Sequence, residues 1–525
     1  MRLPCRLDMF FFTFYANHVT ILTKEIIMPS EEKFCKIPLT DVLSKYPEKG
    51  NETQADTLLA AELSKNKRKI IVLDDDPTGV QTVHGISVYT SWDKEAIEAG
   101  FDEDNPLFFI LTNSRGMTAE ETAKVHADIA RNIAATGRKK NRDFILISRS
   151  DSTLRGHYPL ETLTLKNTLE SECQLHYDGE IICPFFMEGG RYTAENVHYV
   201  KIGDILTPAA QTEFAADKTF GYKHSDLRQW VEEKTGGIFK KETVRAVSLE
   251  DLRGISAGNE TGIEAIVEKI TAMLMEADGF NKIIVNALNY TDIKIFAIAL
   301  YRALENGKRF ILRTAAAVPK VLGGISAKPL LAKEELLRGN ETSNKNENAR
   351  GGLVVIGSHV QKTSRQLELL MEKKNIVSIE FNTHLVIDDK KFDEEKDRVQ
   401  KLCNESIEAG KTTVIYTCRN RFDLNTGNKE DELRIAVKIA AAVTGFVCGL
   451  PGRPKFIIAK GGITSSEIGT SALKVKKALV LGQVLPGIPV WLTGSESRFP
   501  DTPYIIFPGN VGDEGDLRKI VDMLE

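Results

Sequence analysis

Three consecutive carboxylates, Asp74, Asp75 and Asp76, directly follow the apolar run 70–73 and directly precede Pro77, Thr78 and Gly79. Adjacent like charges repel, and Asp is a poor strand former. A triplet at the end of a buried-type strand therefore points to chemistry: holding a cation, accepting hydrogen bonds from hydroxyls, or taking a proton. The bland alternative is an acidic turn in which an Asp caps the next segment. A second polar cluster ends the apolar run 144–148: Arg149, Asp151, Ser152, Thr153, Arg155 and Gly156. Its arginines can make charge-assisted bonds to a carboxylate. Its Asp, Ser and Thr side chains can bond hydroxyls, and Gly156 permits close backbone approach. This combination suits a small polyhydroxylated acid, against the alternative of a helix N-cap flanked by surface arginines. Three smaller groups carry weaker signals: TNSRG at 112–116, EGGR at 188–191 (with Arg191), and Arg313-Thr314.

The second half of the chain carries different residues at its strand ends. Gly357-Ser358 follows one apolar run, Gly461-Gly462-Ile463-Thr464 follows another, and Pro508-Gly509-Asn510-Val511-Gly512 lies near the C-terminus. Small residues and hydroxyls between a strand and a helix leave backbone N–H groups free, which favours an anion such as a nucleotide phosphate. Tight strand–helix turns are the alternative. Gly410-Lys411-Thr412 imitates the end of a phosphate-binding P-loop. However, position 405 is Glu where that motif needs Gly, and the order helix–GKT–strand is reversed. Gly410 reads as a helix C-cap.

These clusters need elements to position them. Apolar runs at 70–73, 85–89, 107–112, 144–148, 179–183, 282–286 and 309–312 predict strands, with helices over 119–135 and 292–306 among them. Several runs are continuously apolar, as in parallel strands buried on both faces. Residues 333–351 break the pattern with Asn, Glu, Ser and Lys. A second series follows: strands 353–356, 377–380, 413–416 and 456–459 and others near Val490 and Ile505, with helices 363–373, 393–408, 431–444 and 465–473. The expected fold class is α/β: two α/β domains with largely parallel sheets, over 68–332 and 352–525, joined by a linker 333–351, with a ligand cleft between them. In such sheets ligands bind beyond the carboxyl ends of strands, where the polar clusters lie.

The chain has 525 residues, 42% of them hydrophobic and 27% charged, an ordinary globular balance. At about 150 residues per domain this allows two large units or three smaller ones. A formal net charge of −4 excludes a uniformly basic nucleic-acid surface. Seven scattered cysteines without a CxxC pair suggest a reduced, cytoplasmic protein with no structural zinc. The aromatic run 9–15 is too short to span a bilayer. Residues 1–67 read as an N-terminal extension whose first 27 residues are a non-native leader ahead of a start at Met28.

Over residues 68–525 the motifs resemble the four-carbon acid sugar kinase family: Asp75-Asp76-Pro77-Thr78-Gly79, Asp151 through Gly156 (DSTLRG), Gly190-Arg191, Arg313-Thr314-Ala315-Ala316, Gly357-Ser358-His359, Lys362-Thr363, Gly461 through Ser465 (GGITS), Pro486-Gly487-Ile488-Pro489 and Gly509 through Gly512. The resemblance implies ATP-dependent, Mg²⁺-assisted phosphorylation of a hydroxyl on a small acid such as threonate, erythronate or 3-oxo-tetronate. The N-terminal domain would hold the acid and the C-terminal domain ATP. Carried over by motif, the sugar-acid side would use Asp75, Asp76, Asp151 and Arg155. The ATP side would use Ser358, Gly461, Gly462, Ile463, Thr464 and Gly509. Asp76, then Asp75, would orient the hydroxyl and accept its proton. Thr78, Gly79, Arg149, Ser152, Thr153 and Arg191 complete the expected acid site, and closure of the cleft would bring the two ligands together. Metal ligands are not assigned. The expected partners are the acid and ATP, with no nucleic acid and no membrane, and a homodimer stays open. Pro77 stands where the family commonly has an aromatic residue, which bears on the substrate. Two other classes stay open: a non-catalytic sugar-acid or nucleotide sensor, and a metal-dependent sugar-acid lyase or aldolase.

Overall fold

Each apolar run of the first half becomes a strand, and strands Lys69–Asp74, Ile86–Tyr89, Leu107–Leu111, Phe144–Arg149, Gly179–Cys183 and Phe310–Thr314 are buried at every residue. Covering both faces is what makes such runs uniformly apolar. The computed structural model describes residues 34–47, 52–255, 262–337, 350–420 and 429–525. The aromatic run 9–15, Met28 and residues 338–349 of the expected linker lie outside the described residues. Lys36–Glu525 forms one unit.

In the N-terminal half eight parallel strands run in the order Arg245–Val247, Asn281–Val285, Gly179–Cys183, Phe310–Thr314, Phe144–Arg149, Lys69–Asp74, Leu107–Leu111, Ile86–Tyr89. The chain leaves Lys69–Asp74 toward one side and later returns to the other with Phe144–Arg149. The strand order thus reverses at Lys69–Asp74, and the crevice beyond its carboxyl end is where a doubly wound sheet binds ligands. The C-terminal half repeats the device. Leu353–Ile356 is flanked by parallel strands Thr412–Thr417 and Ile457–Lys460, and Ser358 lies just past this second reversal.

The sequence suggests two separate sheets, yet among the described residues the halves share one sheet of fifteen strands. The joint is strand Lys477–Leu485, which was not foreseen. It pairs antiparallel with Ile86–Tyr89 on one side and with Ile488–Thr493 on the other. Its burial alternates along much of its length, as in an antiparallel strand with one face covered. Pairing in this way also removes an exposed edge from each half.

A second sheet was also unforeseen because its strands are short. It has the antiparallel order Ile37–Pro38, Ile205–Pro208, Val197–Ile202, Arg191–Ala194. Part of the expected N-terminal extension therefore folds onto the first half. Ile37–Pro38 supplies an edge strand, and helix Glu52–Lys65 packs on helix Tyr290–Glu305. Gly410 does end a helix. It follows Asp389–Glu408 at φ +76°, its N–H donates to Ile407 O at 3.0 Å, and strand Thr412–Thr417 begins two residues later.

Candidate functional site

At the first reversal point the acidic triplet is held by two arginines from neighbouring strand ends. Arg149 ends strand Phe144–Arg149, and its Nη1 lies 3.1 Å from Asp74 Oδ1 and 3.7 Å from Asp75 Oδ1. Both Asp74 and Arg149 are buried. Arg149, expected among the substrate-binding residues, is turned inward against Asp74 and Asp75. Gly79 is structural as well: a β-carbon there would fall 2.0 Å from the Asp74 carboxylate.

Arg115, in the turn Ser114–Gly116 beyond strand Leu107–Leu111, grips the other two carboxylates. Its Nη2 and Nε donate to Asp75 at 2.6 and 3.1 Å, and its Nη1 donates to Asp76 at 2.7 Å. Thr78 caps Asp76 with its backbone N–H at 2.7 Å and with its hydroxyl. Thr78 thus orients Asp76. Burial raises Asp74 to about 8. Burial also raises Asp75, and although Arg115 and Arg149 oppose it, the carboxyl settles at about 6. At Asp76 burial is outweighed by Arg115, Arg149 and Thr78, which hold it below the usual carboxylate range. One triplet therefore holds three carboxyls of different proton affinity. The three are engaged by arginines. Among the described residues no group of three His, Cys, Asp or Glu side chains could hold a metal ion.

Beyond the same sheet end, Asp151 accepts from Arg155 Nε at 2.6 Å and from the Thr153 hydroxyl. Burial works against the Asp151 charge, but Arg155 and Arg115 keep it ionised. The Ser152 carbonyl is 2.8 Å from His198 Nε2, and the His198 Nδ1 is 3.0 Å from the Thr193 hydroxyl. Burial lowers His198 to about 4, so the ring is neutral. Neutral His198 holds the loop with Nε2 as donor and Nδ1 as acceptor. Arg191 opens strand Arg191–Ala194 of the second sheet and is 7% exposed. Its Nη1 donates to the Gly189 carbonyl, its Nε is buried without a partner, and burial lowers it to about 10. Arg155 and Arg191 lie 5.1 and 5.7 Å from the ring centre of Phe214.

At the second reversal point the small-residue loops converge. Gly357 and Ser358 N–H groups donate to Lys460 O, each at 3.3 Å. The Thr363 hydroxyl reaches Ser358 Oγ at 3.2 Å and Gly509 O at 3.1 Å. Gly461 sits at φ +120°, a region closed to most side chains. The Lys460 ammonium donates to Pro508 O at 2.7 Å and ties the two glycine loops together. Arg419 Nη2 donates to Ser358 O at 2.7 Å while its Nη1 is buried without a partner. A cavity of about 300 Å³ opens beside these loops, lined by Gly357, Thr417, Ile463, Thr464 and, from helix Lys429–Cys448, Ile439 and Val443. Ile463 is 68% exposed, an apolar surface suited to a planar ring.

The structure brings the two sites together. A β-carbon on Gly462 would lie 2.9 Å from Asp76 Oδ2, and Gln81 Nε2 donates to Gly487 O at 3.0 Å. Two residues of this region, Phe214 and Arg419, escaped the sequence reading. Arg115 carried a faint signal in TNSRG. Phe214 and Arg419 carried none, since each acts through neighbours remote in the chain.

Residues 70–322 match the family model of a sugar-binding N-terminal domain, and residues 353–517 that of a nucleotide-binding C-terminal domain. No curated protein matches the chain. Among solved structures, a Salmonella typhimurium LT2 protein provisionally named a tRNA synthase is 14% identical, with a TM-score of 0.58 over 86% of this chain and 98% of its own. A Haemophilus influenzae protein of the DUF1537 family is 16% identical, with a TM-score of 0.53 over 87% of this chain and 100% of its own. Both show a shared fold.

Proposed function

We propose that this chain, which joins a sugar-binding N-terminal domain to a nucleotide-binding C-terminal domain, is an ATP-dependent kinase of the four-carbon acid sugar kinase family. It phosphorylates a hydroxyl of a small sugar acid such as threonate, erythronate or 3-oxo-tetronate. The observation that supports this most is the contact between Asp76 and Gly462. A carboxylate at the sugar end of one half lies against the glycine loop of the nucleotide half, where an acceptor hydroxyl and the end of a triphosphate would have to meet.

Phosphoryl transfer asks for positioning and charge neutralisation more than covalent work. The acid's carboxylate pairs with Arg191, with Arg155 beside it already paired to Asp151, and its hydroxyls bond the loop around Asp151. One hydroxyl donates to Asp76. Its oxygen forms a bond to the γ-phosphorus, the bond from that phosphorus to the β–γ bridging oxygen breaks, ADP leaves, and the hydroxyl proton passes to Asp76. Arg115 and Thr78 fix the Asp76 oxygens during the step. On the other side the Ser358 and Thr464 hydroxyls and the Gly462 and Gly509 N–H groups face the phosphates, Gly461 gives them close backbone approach, and the adenine enters the cavity beside Ile463.

The test is turnover. Purified protein with Mg-ATP and a panel of four-, five- and six-carbon sugar acids should release ADP with at least one four-carbon acid. Binding of ATP without ADP release from any acid would overturn the reading.

A further inference from the structure

We propose that Phe214 is the wall against which the acid's carboxylate end stops, and that it restricts the substrate to short monocarboxylates. This rests on the sugar-acid reading above. Phe214 lies in the short turn Glu213–Ala216, after the second sheet and outside every motif. Its ring faces two guanidinium groups, Arg155 at 5.1 Å and Arg191 at 5.7 Å. A cation over an aromatic face is attracted to it, so one ring holds both arginines in place.

Their charges are not equally balanced. Arg155 is paired with Asp151 at 2.6 Å and approaches Asp217 at 3.7 Å. Arg191 forms no ion pair among the described residues, although it is 7% exposed and its buried Nε lacks a hydrogen-bond partner. A buried guanidinium with an unmet N–H is costly. One carboxylate relieves it, whereas a second at the same end would find Arg155 already neutralised.

The wall is held in place. Phe220 packs edge-on against His157 with ring centres 4.9 Å apart, and the Tyr222 hydroxyl donates to Thr153 O at 2.8 Å. The segment carrying Phe214 is therefore pinned to the DSTLRG loop. A ring face cannot complete the hydrogen bonds of a carboxylate. A longer acid with its reacting hydroxyl held at Asp76 would push its carboxylate past Arg191 onto the ring face and leave it unsatisfied, which discriminates more strongly than shape alone.

The experiment measures kcat/KM for four- and six-carbon sugar acids in the wild type and in F214A and F214L, with nucleotide binding as the check on folding. The ratio of four- to six-carbon kcat/KM should fall at least tenfold in F214A and by less in F214L, mainly through KM. Phe214 is half-buried, so the Leu variant keeps the fold if the Ala variant does not. A ratio within twofold of wild type in a folded, active variant overturns the proposal. If the wild type turns over no acid, the kinase reading fails instead. Calorimetric binding of the same acids then still tests Phe214: loss of the preference for the short acid in F214L supports the wall, and an unchanged preference overturns it.

Discussion

Oδ2 of Asp76 and the α-carbon of Gly462 are so close that a β-carbon on the glycine would stand 2.9 Å from the carboxylate oxygen. The two residues come from different halves and from the carboxyl ends of strands in different parts of the sheet. The glycine is needed there for space. Any side chain would push Asp76 out of the grip of Arg115 and Thr78, or displace the loop that faces the nucleotide.

G462A should therefore lower kcat by about a hundredfold, the cost of a misplacement near 1 Å, and weaken nucleotide binding as well, because the same loop faces the phosphates. D76N should abolish turnover and leave nucleotide binding intact. Steady-state kinetics beside calorimetric ATP binding check both. Wild-type kcat in D76N would move the proton acceptor elsewhere.

Arg115 holds two carboxylates with a fork that lysine cannot reproduce. R115K should lose on the order of a hundredfold in kcat with a smaller change in KM for the acid. A variant with wild-type kcat would show that the fork does not set the geometry of Asp76.

The Asp75 carboxyl titrates near 6, raised by burial against the pull of Arg115 and Arg149. Below that pH it is protonated and offers Arg115 a weaker acceptor. Turnover should climb as pH passes through about 6 and level off above it. D75N, neutral at every pH, should lack this limb. A wild-type profile flat between pH 5 and 7 would contradict the assignment.

The cavity of about 300 Å³ beside the glycine loops is lined in part by Ile439 and Val443. I439W fills it and should weaken nucleotide binding at least tenfold, about 1.4 kcal/mol, with binding of the sugar acid retained. Titration with ATP and, separately, with the acid reads both. Unchanged ATP affinity would place the adenine elsewhere.

Much of this protein was legible from local pattern. The runs 70–73, 144–148, 353–356 and 456–459 are strands within a residue or two of the expected ends, because a strand buried on both faces must be continuously apolar. The reversed order around Gly410 was legible for the same local reason. Strand Lys477–Leu485 and the short strands of residues 191–208 were not. Alternation interrupted by Gly482, and strands of four to six residues, carry little periodic signal. The role of Arg149 also changed. A strand-end arginine looks the same in sequence whether it faces a ligand or a buried Asp74.

The sequence by itself determined the alternation of strands and helices and the kind of polar residue that ends each strand, since these follow from periodicity and side-chain chemistry within a few neighbouring positions. Tertiary structure alone decided which charges meet: Arg149 with Asp74, Arg115 with Asp75 and Asp76, Phe214 with Arg155 and Arg191, and Asp76 with Gly462. The reason is physical. A partner across a sheet is chosen by strand order and register, through the pairing of Ile86–Tyr89 with Lys477–Leu485 above all, and no local pattern encodes strand order.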